Sequence, residues 1–354
     1  MMARLEEICT INMGQSPDSS TYNEDGNGLP FFQGNADFGE IYPAVRMWCS
    51  EPTKIAREKD ILISVRAPIG ALNIANCECC IGRGLAALTV NEDICAQEYL
   101  WHALSGKVDE LNSKGTGSTF KAINKKTLSE TEIPLPPIDE QRKIAAILDK
   151  VSDLIAKRQQ QLDKLDKAVK ARFVEIFGDC YTNPHNLPIE KWNNIFSTTT
   201  GKLDSNAAVE NGKYPFFTCS KETLRINTYA FDQEALLLAG NNAAGKYDVK
   251  YYCGKFNAYQ RTYVLSLKHD WSYALFRFQL EDKLGYLEQQ SLGGLTKYLT
   301  LKILNELEFI VPPKEEQDKF AAFVDQIAKT NTTVSHSLEK LETLKKALMQ
   351  EYFR

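Results

Sequence analysis

The chain has 354 residues and a hydrophobic fraction of 43%, which is enough apolar material for two or three packed domains and excludes an intrinsically disordered chain. Its formal net charge of −4 argues against a general, sequence-independent nucleic-acid binder. No apolar run reaches the roughly 20 residues of a membrane helix, and the first residues lack the apolar stretch of a signal peptide. We therefore expect a cytoplasmic protein with no membrane contact.

Nine cysteines raise the question of a disulfide framework or a zinc site. Residues 77–80 read Cys-Glu-Cys-Cys, but no second cysteine pair at a matching spacing accompanies them. The odd number of cysteines and the expected location favour reduced thiols. The sequence therefore predicts neither a bound metal nor a cofactor.

Residues 1–140 alternate short apolar runs with turns rich in Gly, Pro and Asn, which is typical of strands joined by loops. The clearest strands are predicted at 29–32, 61–65 and 85–90, and a helix is predicted over about 95–112. This block is therefore expected to form a mixed α/β domain.

Residues 141–178 have the heptad pattern of a coiled coil, because apolar residues recur every 3.5 residues on average. No Pro or Gly interrupts 141–177, so a helix of roughly 37 residues and ~55 Å is predicted. Pro136 and Pro137 set an extended geometry before its first turn. Asp139 is a candidate cap for that turn, and Gly178 is well placed to end the helix.

Residues 179–316 repeat the plan of the first block. Strands are predicted at 214–217, 235–239 and 263–267, and a helix is predicted near 271–287. The second block is therefore also expected to be a mixed α/β domain.

Residues 317–354 repeat the first long helix at a constant offset of 176 residues. Residues 133–151 read IPLPPIDEQRKIAAILDKV, and 309–327 read FIVPPKEEQDKFAAFVDQI. Such an internal repeat predicts two similar units. We expect the two helices to pair through Ile144, Leu148, Val151, Ile155, Leu162, Leu165, Val324, Ile327, Leu338 and Leu341. The predicted fold is α+β, with two similar mixed α/β domains separated by two long antiparallel coiled-coil helices and related by pseudo-two-fold symmetry.

These segments resemble those of the specificity subunits of type I restriction-modification systems. The proline-led segments 133–141 and 311–317 look like the junctions between the target-recognition domains and the spacer helices of that family. Residues 60–70 (DILISVRAPIG) and 117–121 (GSTFK) also look typical. The second copy departs from the last motif, because 293–297 read GGLTK and lack its pair of hydroxyl residues.

The resemblance implies four parts: target-recognition domain 1 (1–140), spacer helix 1 (141–178), target-recognition domain 2 (179–316) and spacer helix 2 (317–354). Each recognition domain would read one half of a split target in double-stranded DNA. Two methyltransferase subunits would dock on the helices, and restriction subunits would join them. The chain itself would then hold no catalytic centre.

The residues themselves give no catalytic signature. Residues 240–246 have the spacing of a phosphate-binding loop, but Tyr247 stands where that loop needs Ser or Thr for magnesium. The four histidines are scattered, without ligand spacing. A structural adaptor that joins two protein partners across a helical rod is the alternative function, and it would show no salt-dependent DNA binding.

Side chains that contact DNA need either paired hydrogen-bonding groups for base edges or positive charge for phosphates. Arg suits guanine, whereas Asn and Gln suit adenine. Arg83 precedes a strand, and Gln260-Arg261 lies at the corresponding place in the second copy. The plainer alternative is that each arginine binds a carboxylate at a strand edge. The candidates are Gln15, Ser16, Gln33, Asn35, Arg66, Arg83, Lys114, Ser118, Thr119, Lys121, Lys202, Lys221, Asn241, Asn242, Lys246, Gln260, Arg261 and Lys297.

Overall fold

The computed structural model describes residues 1–117, 121–243 and 245–353. The chain divides into two units, of which unit 1 comprises Met1–Gln159 with His336–Arg354 and unit 2 comprises Gln160–Ser335. Each unit therefore combines one globular block with parts of both long helices.

Unit 1 is a mixed α/β unit. Its strands are β1 (Met2–Arg4), β2 (Cys9–Met13), β3 (Tyr22–Asn23), β4 (Leu29–Phe32), β5 (Trp48–Cys49), β6 (Ile55–Ala56), β7 (Ile61–Ser64), β8 (Leu72–Ile74), β9 (Cys79–Ile81), β10 (Leu85–Val90) and β11 (Glu132–Pro134). Its helices are α1 (Leu5–Ile8), α2 (Gln97–Ser105), α3 (Val108–Ser113), α4 (Lys125–Ser129) and the first part of α5 (Ile138–Phe177).

Unit 2 has a similar element order, with a short strand added between its second and third helices after the main sheet. Its strands are β12 (Ile189–Lys191), β13 (Phe196–Thr200), β14 (Tyr214–Phe217), β15 (Leu224–Ile226), β16 (Phe231–Ala239), β17 (Asn241–Asn242), β18 (Val249–Ala258), β19 (Thr262–Leu267), β20 (Lys297–Tyr298) and β21 (Glu308–Ile310). Its helices are α6 (Trp192–Ile195), α7 (Tyr273–Asp282), α8 (Leu284–Gln290), α9 (Leu301–Asn305) and the first part of α10 (Lys314–Phe353).

The sheets of the two units share one pairing scheme. In unit 1, the order β2-β10-β7-β8 forms one sheet, β3-β5-β4-β9-β6 a second, and β1-β11 a short ribbon. In unit 2, one sheet of order β13-β19-β16-β18-β14-β15 replaces the first two, and β12-β21 repeats the ribbon. The long strand β18 joins the parts of this sheet that correspond to the two sheets of unit 1, because it pairs with β16 in antiparallel and with β14 in parallel orientation. In unit 1, β4 likewise pairs with β9 in parallel.

Apolar faces of the sheets, short helices and long helices form the largest buried cluster of each unit. In unit 1, Leu148 of α5 and Phe353 of α10 share a buried cluster with Tyr99 of α2. In unit 2, Phe173 of α5 and Phe320 of α10 share the equivalent cluster. The start of one long helix meets the end of the other in each unit, so the two helices run antiparallel there. The mixed α/β blocks and the long helices confirm the predicted fold class.

All ten residues predicted to pair the helices are buried or half-buried. Two arginines occupy seam positions that the heptad pattern leaves without an apolar residue. In unit 1, Arg158 on α5 donates a hydrogen bond to the hydroxyl of Ser337 on α10 at 3.2 Å. In unit 2, the Arg172 guanidinium lies 5.9 Å from the ring centroid of Phe323. Long arginine side chains therefore fill gaps in the seam with both polar and apolar contacts.

Strands at 29–32, 85–90 and 214–217 have the predicted bounds. The single helix predicted over 95–112 is wrong, because Gly106 and Lys107 separate α2 from α3. Glycine is a poor helix former, and Lys107 leaves helical geometry with ψ near 3°. In unit 2, Lys283 separates α7 from α8 in the same way.

The long helices begin three residues earlier than predicted. The N–H groups of Glu140 and Gln141 both donate to the carbonyl of Pro137, at 2.9 and 3.0 Å. Asp139 therefore lies inside the first turn, and its prediction as the cap is wrong. Gly178 ends α5 as predicted, with a φ of 74° that favours glycine.

A buried glutamine joins each long helix to the globular block before it. The side-chain carbonyl of Gln141 accepts from the N–H of Ala96, just before α2, at 2.9 Å. Its amide donates to the carbonyl of Pro136 at 2.8 Å. Gln317 repeats both bonds in unit 2, with the N–H of Ser272 at 2.9 Å and the carbonyl of Pro312 at 2.8 Å.

We predict that Gln141→Leu lowers the free energy of unfolding by about 2–4 kcal/mol. The apolar side chain leaves the buried Ala96 N–H and the Pro136 carbonyl without a partner, and each such group costs about 1–3 kcal/mol. Gln317→Leu should have the same effect in unit 2. Denaturant unfolding measures the change, and Gln159→Leu at an exposed position of α5 is the control. A loss below about 0.5 kcal/mol, which is typical of surface changes, would contradict the prediction.

A second polar contact joins α2 to α5 in unit 1. The Nε2 of His102 lies 2.7 Å from an Asp149 carboxylate oxygen, and the His102 side chain is 5% exposed. Burial lowers the pKa of His102, and this effect outweighs the opposing effect of Asp149. The nearby Lys345 of α10 lowers that pKa further, whereas Glu98 raises it slightly. Neutral imidazole is therefore the form that the folded unit favours.

We predict that unit 1 loses stability as the pH falls below about 6.5. The unfolded chain then binds a proton that the folded chain binds more weakly, so the free energy of unfolding decreases toward acid. One such proton contributes at most about 1.4 kcal/mol per pH unit. His102→Phe, which copies Phe278 at the same position of unit 2, should reduce the slope measured by denaturant unfolding between pH 7 and 5. His336→Gln, at an exposed position, is the control, and equal slopes for His102→Phe and the unchanged chain would refute the prediction.

Candidate nucleic-acid interface

Five segments of unit 1 meet where the main strands begin or end. They are 14–16 after β2, 32–34 after β4, 65–66 after β7, 82–84 before β10, and 121–123 before α4. We call this set the loop frame of unit 1. It contains or adjoins most of the predicted contact residues of the first copy.

Main-chain hydrogen bonds hold this loop frame together. The N–H of Gln15 donates to the carbonyl of Ile81 at 3.0 Å, and the N–H of Gly84 donates to the carbonyl of Gln33 at 3.2 Å. The N–H of Arg83 faces the hydroxyl of Ser16 at 3.4 Å. These bonds bring the predicted residues of three separate loops beside one another.

The other two segments extend the loop frame. The N–H of Val65 donates to the carbonyl of Gly84 at 2.9 Å, and the Val65 carbonyl accepts from Ile123 at 3.0 Å. Arg66 forms an antiparallel bridge with Ala122, so Arg66 and Lys121 lie on adjoining backbone. The side chains of Gln15, Gln33, Arg66, Arg83 and Lys121 are exposed.

Unit 2 has a matching loop frame, formed by 201–203, 217–219, 240–242, 259–261 and 297–299. The N–H of Gly240 donates to the carbonyl of Arg261 at 2.9 Å, as Val65 does to Gly84. The N–H of Leu299 donates to the Gly240 carbonyl at 2.8 Å, as Ile123 does to Val65. The two loop frames are therefore equivalent at the level of the backbone.

Close backbone approach fixes the glycines in both loop frames. A Cβ on Gly84 would lie 2.3 Å from the carbonyl oxygen of Gln33, and a Cβ on Gly240 would lie 2.3 Å from that of Arg261. No side chain fits at such distances, so the loops on either side are held tightly.

This equivalence narrows one sequence-based match. The sequence places Gln260-Arg261 opposite Arg83, and the backbone shows that Gln260 is the residue at the position of Arg83. In unit 2, the N–H of Gln260 donates to the Leu203 carbonyl at 2.9 Å. At the corresponding place in unit 1, the N–H of Arg83 donates to the Ser16 hydroxyl. Arg261 is therefore the counterpart of Gly84, because the two carbonyls accept equivalent bonds.

The other equivalent positions follow from the same bonds. Asn241 is the counterpart of Arg66, since it bridges to Tyr298 as Arg66 bridges to Ala122. Lys202 is the counterpart of Gln15. Lys202 follows Gly201, whose N–H donates to the carbonyl of the first residue of β19, and Gln15 follows Gly14, whose N–H donates to the carbonyl of the first residue of β10. Asn242 pairs with Lys297 in the β17-β20 ribbon.

The six cations of the two loop frames have no acidic partner among the described residues, and all but the half-buried Lys297 are exposed. They are Arg66, Arg83, Lys121, Lys202, Arg261 and Lys297. The alternative in which Arg83 and Arg261 bind carboxylates is therefore not observed among those residues. Lys114, outside the loop frame, differs, because its ammonium lies 2.6 Å from Glu110. Hydrogen bonds from Lys107 and then Lys114 lower the pKa of the Glu110 carboxyl.

Some predicted residues lie outside the loop frames. Asn35 lies in a 3₁₀ turn at 35–37, directly after segment 32–34. Lys221 is an exposed loop residue between β14 and β15, and Lys246 is exposed directly after Gly245. Ser118 and Thr119 lie outside the described residues.

Sequence reasoning missed Thr53 and Lys54. The Thr53 hydroxyl donates to the carbonyl of Gln15 at 2.8 Å, and the Lys54 carbonyl accepts from Ile81 at 2.9 Å. Both residues are exposed and adjoin the loop frame of unit 1. Nothing in their spacing along the chain indicates this position.

The cysteine segment and the membrane question have structural answers within the described ranges. Cys79 and Cys80 lie in β9, where burial raises their pKa to about 12 and about 11. Across residues 1–117, 121–243 and 245–353, no three His, Cys, Asp or Glu side chains are placed to hold a metal ion. No helix in those ranges is long and apolar enough to cross a bilayer.

The chain is similar to proteins of one kind. The family model described as type I restriction modification DNA specificity domain matches residues 1–167 and 191–343. A putative type I restriction enzyme specificity subunit, MjaX, from Methanocaldococcus jannaschii is 44% identical over 165 residues, which cover 47% of this chain and 39% of that protein. The EcoDI specificity subunit from Escherichia coli is 35% identical over 159 residues, covering 44% of this chain and 34% of that protein.

The chain thus spans well under half the length of these two relatives. A solved structure, the S subunit of a type I restriction-modification system from M. genitalium, aligns with 100% of this chain and 96% of its own with a TM-score of 0.71. Its sequence identity is 15%, so this likeness concerns the fold alone.

Proposed function

We propose a function from one established premise, that the chain belongs to the family of type I restriction modification DNA specificity domains. The chain recognises a bipartite sequence in double-stranded DNA, with each loop frame reading one half. The observation that supports this most directly is the pair of loop frames, which have one backbone arrangement and different exposed side chains. A shared scaffold with unlike side chains suits two different half-sites.

The charges of the loop frames support DNA contact. Their Arg and Lys side chains suit phosphates and guanine edges, and none of these six has an acidic partner among the described residues. Lys121 and Lys297 are equivalent positions with the same charge, so we assign them to phosphates. The remaining predicted residues, including Lys221, Lys246 and Asn242, are proposed as peripheral contacts.

Catalysis is proposed to lie in partner subunits, because the relatives of this chain are named specificity subunits. Methyltransferase subunits bind the chain and restriction subunits join them. A chain with net charge −4 then gains part of its DNA affinity from the positive charge of its partners.

Two surfaces suit the methyltransferase subunits. In unit 1, Ile147 and Leu154 lie seven residues apart on one face of α5 and are 42% and 37% exposed. In unit 2, a groove of about 920 Å³ lies between α5, α7 and α10, with Trp271 and Val324 among its apolar lining residues. Six acidic residues also line this groove, namely Asp166, Glu234, Glu281, Asp282, Asp318 and Asp325. A partner surface with apolar side chains fits both, and basic side chains on it would suit the acidic lining of the groove in unit 2.

We predict that Ile147→Asp with Leu154→Asp weakens binding of the methyltransferase subunit by about tenfold or more, because charge replaces apolar contact at the interface. Calorimetric titration of the two purified proteins measures this. The control is Ala156→Asp, an exposed position on the opposite face of α5. Equal affinity for the double variant and the unchanged chain would exclude this face as the docking surface.

We predict that the complex with methyltransferase subunits binds its target tightly and in a salt-dependent manner, whereas the chain alone binds weakly. Methylation-sensitive sequencing of the host genome supplies the target. Lys121→Ala with Lys297→Ala should reduce the slope of log K against log salt by about 2, because each lost phosphate contact removes about 1. Gel-shift titrations at several salt concentrations measure the slope.

The control for this titration is Lys319→Ala, since Lys319 lies on α10 and is paired with Glu315 at 2.7 Å. It should leave the slope unchanged. Equal DNA affinity with and without methyltransferase subunits would argue against the proposed assembly. A complete lack of salt-dependent DNA binding would favour the adaptor function instead.

A further inference from the structure

The two loop frames differ in the same chemical direction at two equivalent positions, whereas Gln15 and its counterpart Lys202 differ in the opposite direction. Where unit 1 has Arg66, unit 2 has Asn241, and where unit 1 has Arg83, unit 2 has Gln260. Both differences replace a guanidinium by a carboxamide. This pattern appears only when the positions are matched by their hydrogen bonds, because the sequence offset differs between them.

The chemistry of these two groups is distinct on the major-groove edge of a base pair. A guanidinium has donors only and fits the O6 and N7 acceptors of guanine. A carboxamide has one acceptor and one donor group, and it fits the N6 donor and N7 acceptor of adenine. The same backbone position can therefore select different bases in the two units.

The local structure leaves the longer pair, Arg83 and Gln260, free to make such contacts. Both are exposed. The N–H of Arg83 donates to the Ser16 hydroxyl at 3.4 Å, and the N–H of Gln260 donates to the Leu203 carbonyl at 2.9 Å. Tight packing at Gly84 holds the backbone next to Arg83 in place. Arg261 lies one residue beyond Gln260, at the position of Gly84, so it does not take the place of Arg83.

We infer that Arg83 with Arg66 selects guanine in the half-site of unit 1, and that Gln260 with Asn241 selects adenine at the equivalent place in the half-site of unit 2. This inference rests on the proposed function and adds the bases to it. Arg83 and Gln260 are the principal specificity residues, and Arg66 and Asn241 are their neighbours across each loop frame.

The test is a reciprocal exchange in the full chain, assembled with its methyltransferase subunits. The complex selects fragments from a duplex library that is randomised in both half-sites, and the selected fragments are sequenced. Arg83→Gln should lower the preference for guanine over adenine at one position of one half by about tenfold or more. Gln260→Arg should shift one position of the other half from adenine toward guanine by a similar factor.

The matched control is Arg57→Gln, an exposed position before β7, at the end of that strand away from the loop frame. It should leave both halves of the target unchanged. Arg83→Lys keeps the charge but loses the forked donor pair, and it should also weaken the guanine preference.

Each outcome decides the inference. Changes confined to the expected half and position would support it. Unchanged base preferences in both reciprocal variants would overturn it, and so would changes spread over both halves or loss of all selection in both variants. If the unchanged complex selects no sequence at all, the proposed function itself fails, which is distinct from failure of the base assignment.

Discussion

One buried glutamine side chain in each unit determines how a long helix is attached to the globular block before it. Gln141 and Gln317 each satisfy an N–H at the start of a short helix and the carbonyl of a proline five residues earlier. Only a side chain with both a donor and an acceptor does this without leaving a buried polar group unpaired. Because the same bonds recur in both copies, the direction in which each helix leaves its block is specified locally.

This constraint also explains how much the sequence predicts. The offset of 176 residues is visible around Gln141 and Gln317, where the packing permits no insertion. The offset is not constant earlier in each block. The separation between the starts of β2 and β13, at Cys9 and Phe196, differs from that between the starts of β10 and β19, at Leu85 and Thr262, and neither equals 176. Loops accept insertions that strands do not. The equivalence of Arg83 with Gln260 therefore required the hydrogen bonds, whereas three main strands of each block and the long helices followed from apolar periodicity.

The two copies also show how one packing problem accepts different chemistry. In unit 1, His102 of α2 meets Asp149 of α5, whereas in unit 2, Phe278 of α7 packs edge-on against Phe320 of α10 with ring centroids 5.7 Å apart. Both contacts bind a short helix to the long helix that follows its block. The polar version adds a dependence on protonation that the aromatic version lacks, so the two units need not respond alike to acid.

The loop frames separate the residues that maintain the fold from those that face solvent. Their hydrogen bonds run almost entirely between backbone groups, which every residue except proline can supply, and the close approaches require glycine at Gly84 and Gly240. An exposed side chain between these anchors changes stability by only about 0.5 kcal/mol when it is replaced. Recognition chemistry at Arg83 or Gln260 can therefore diverge between the two copies at little cost to folding, while the main-chain hydrogen bond of the next residue recurs in both units.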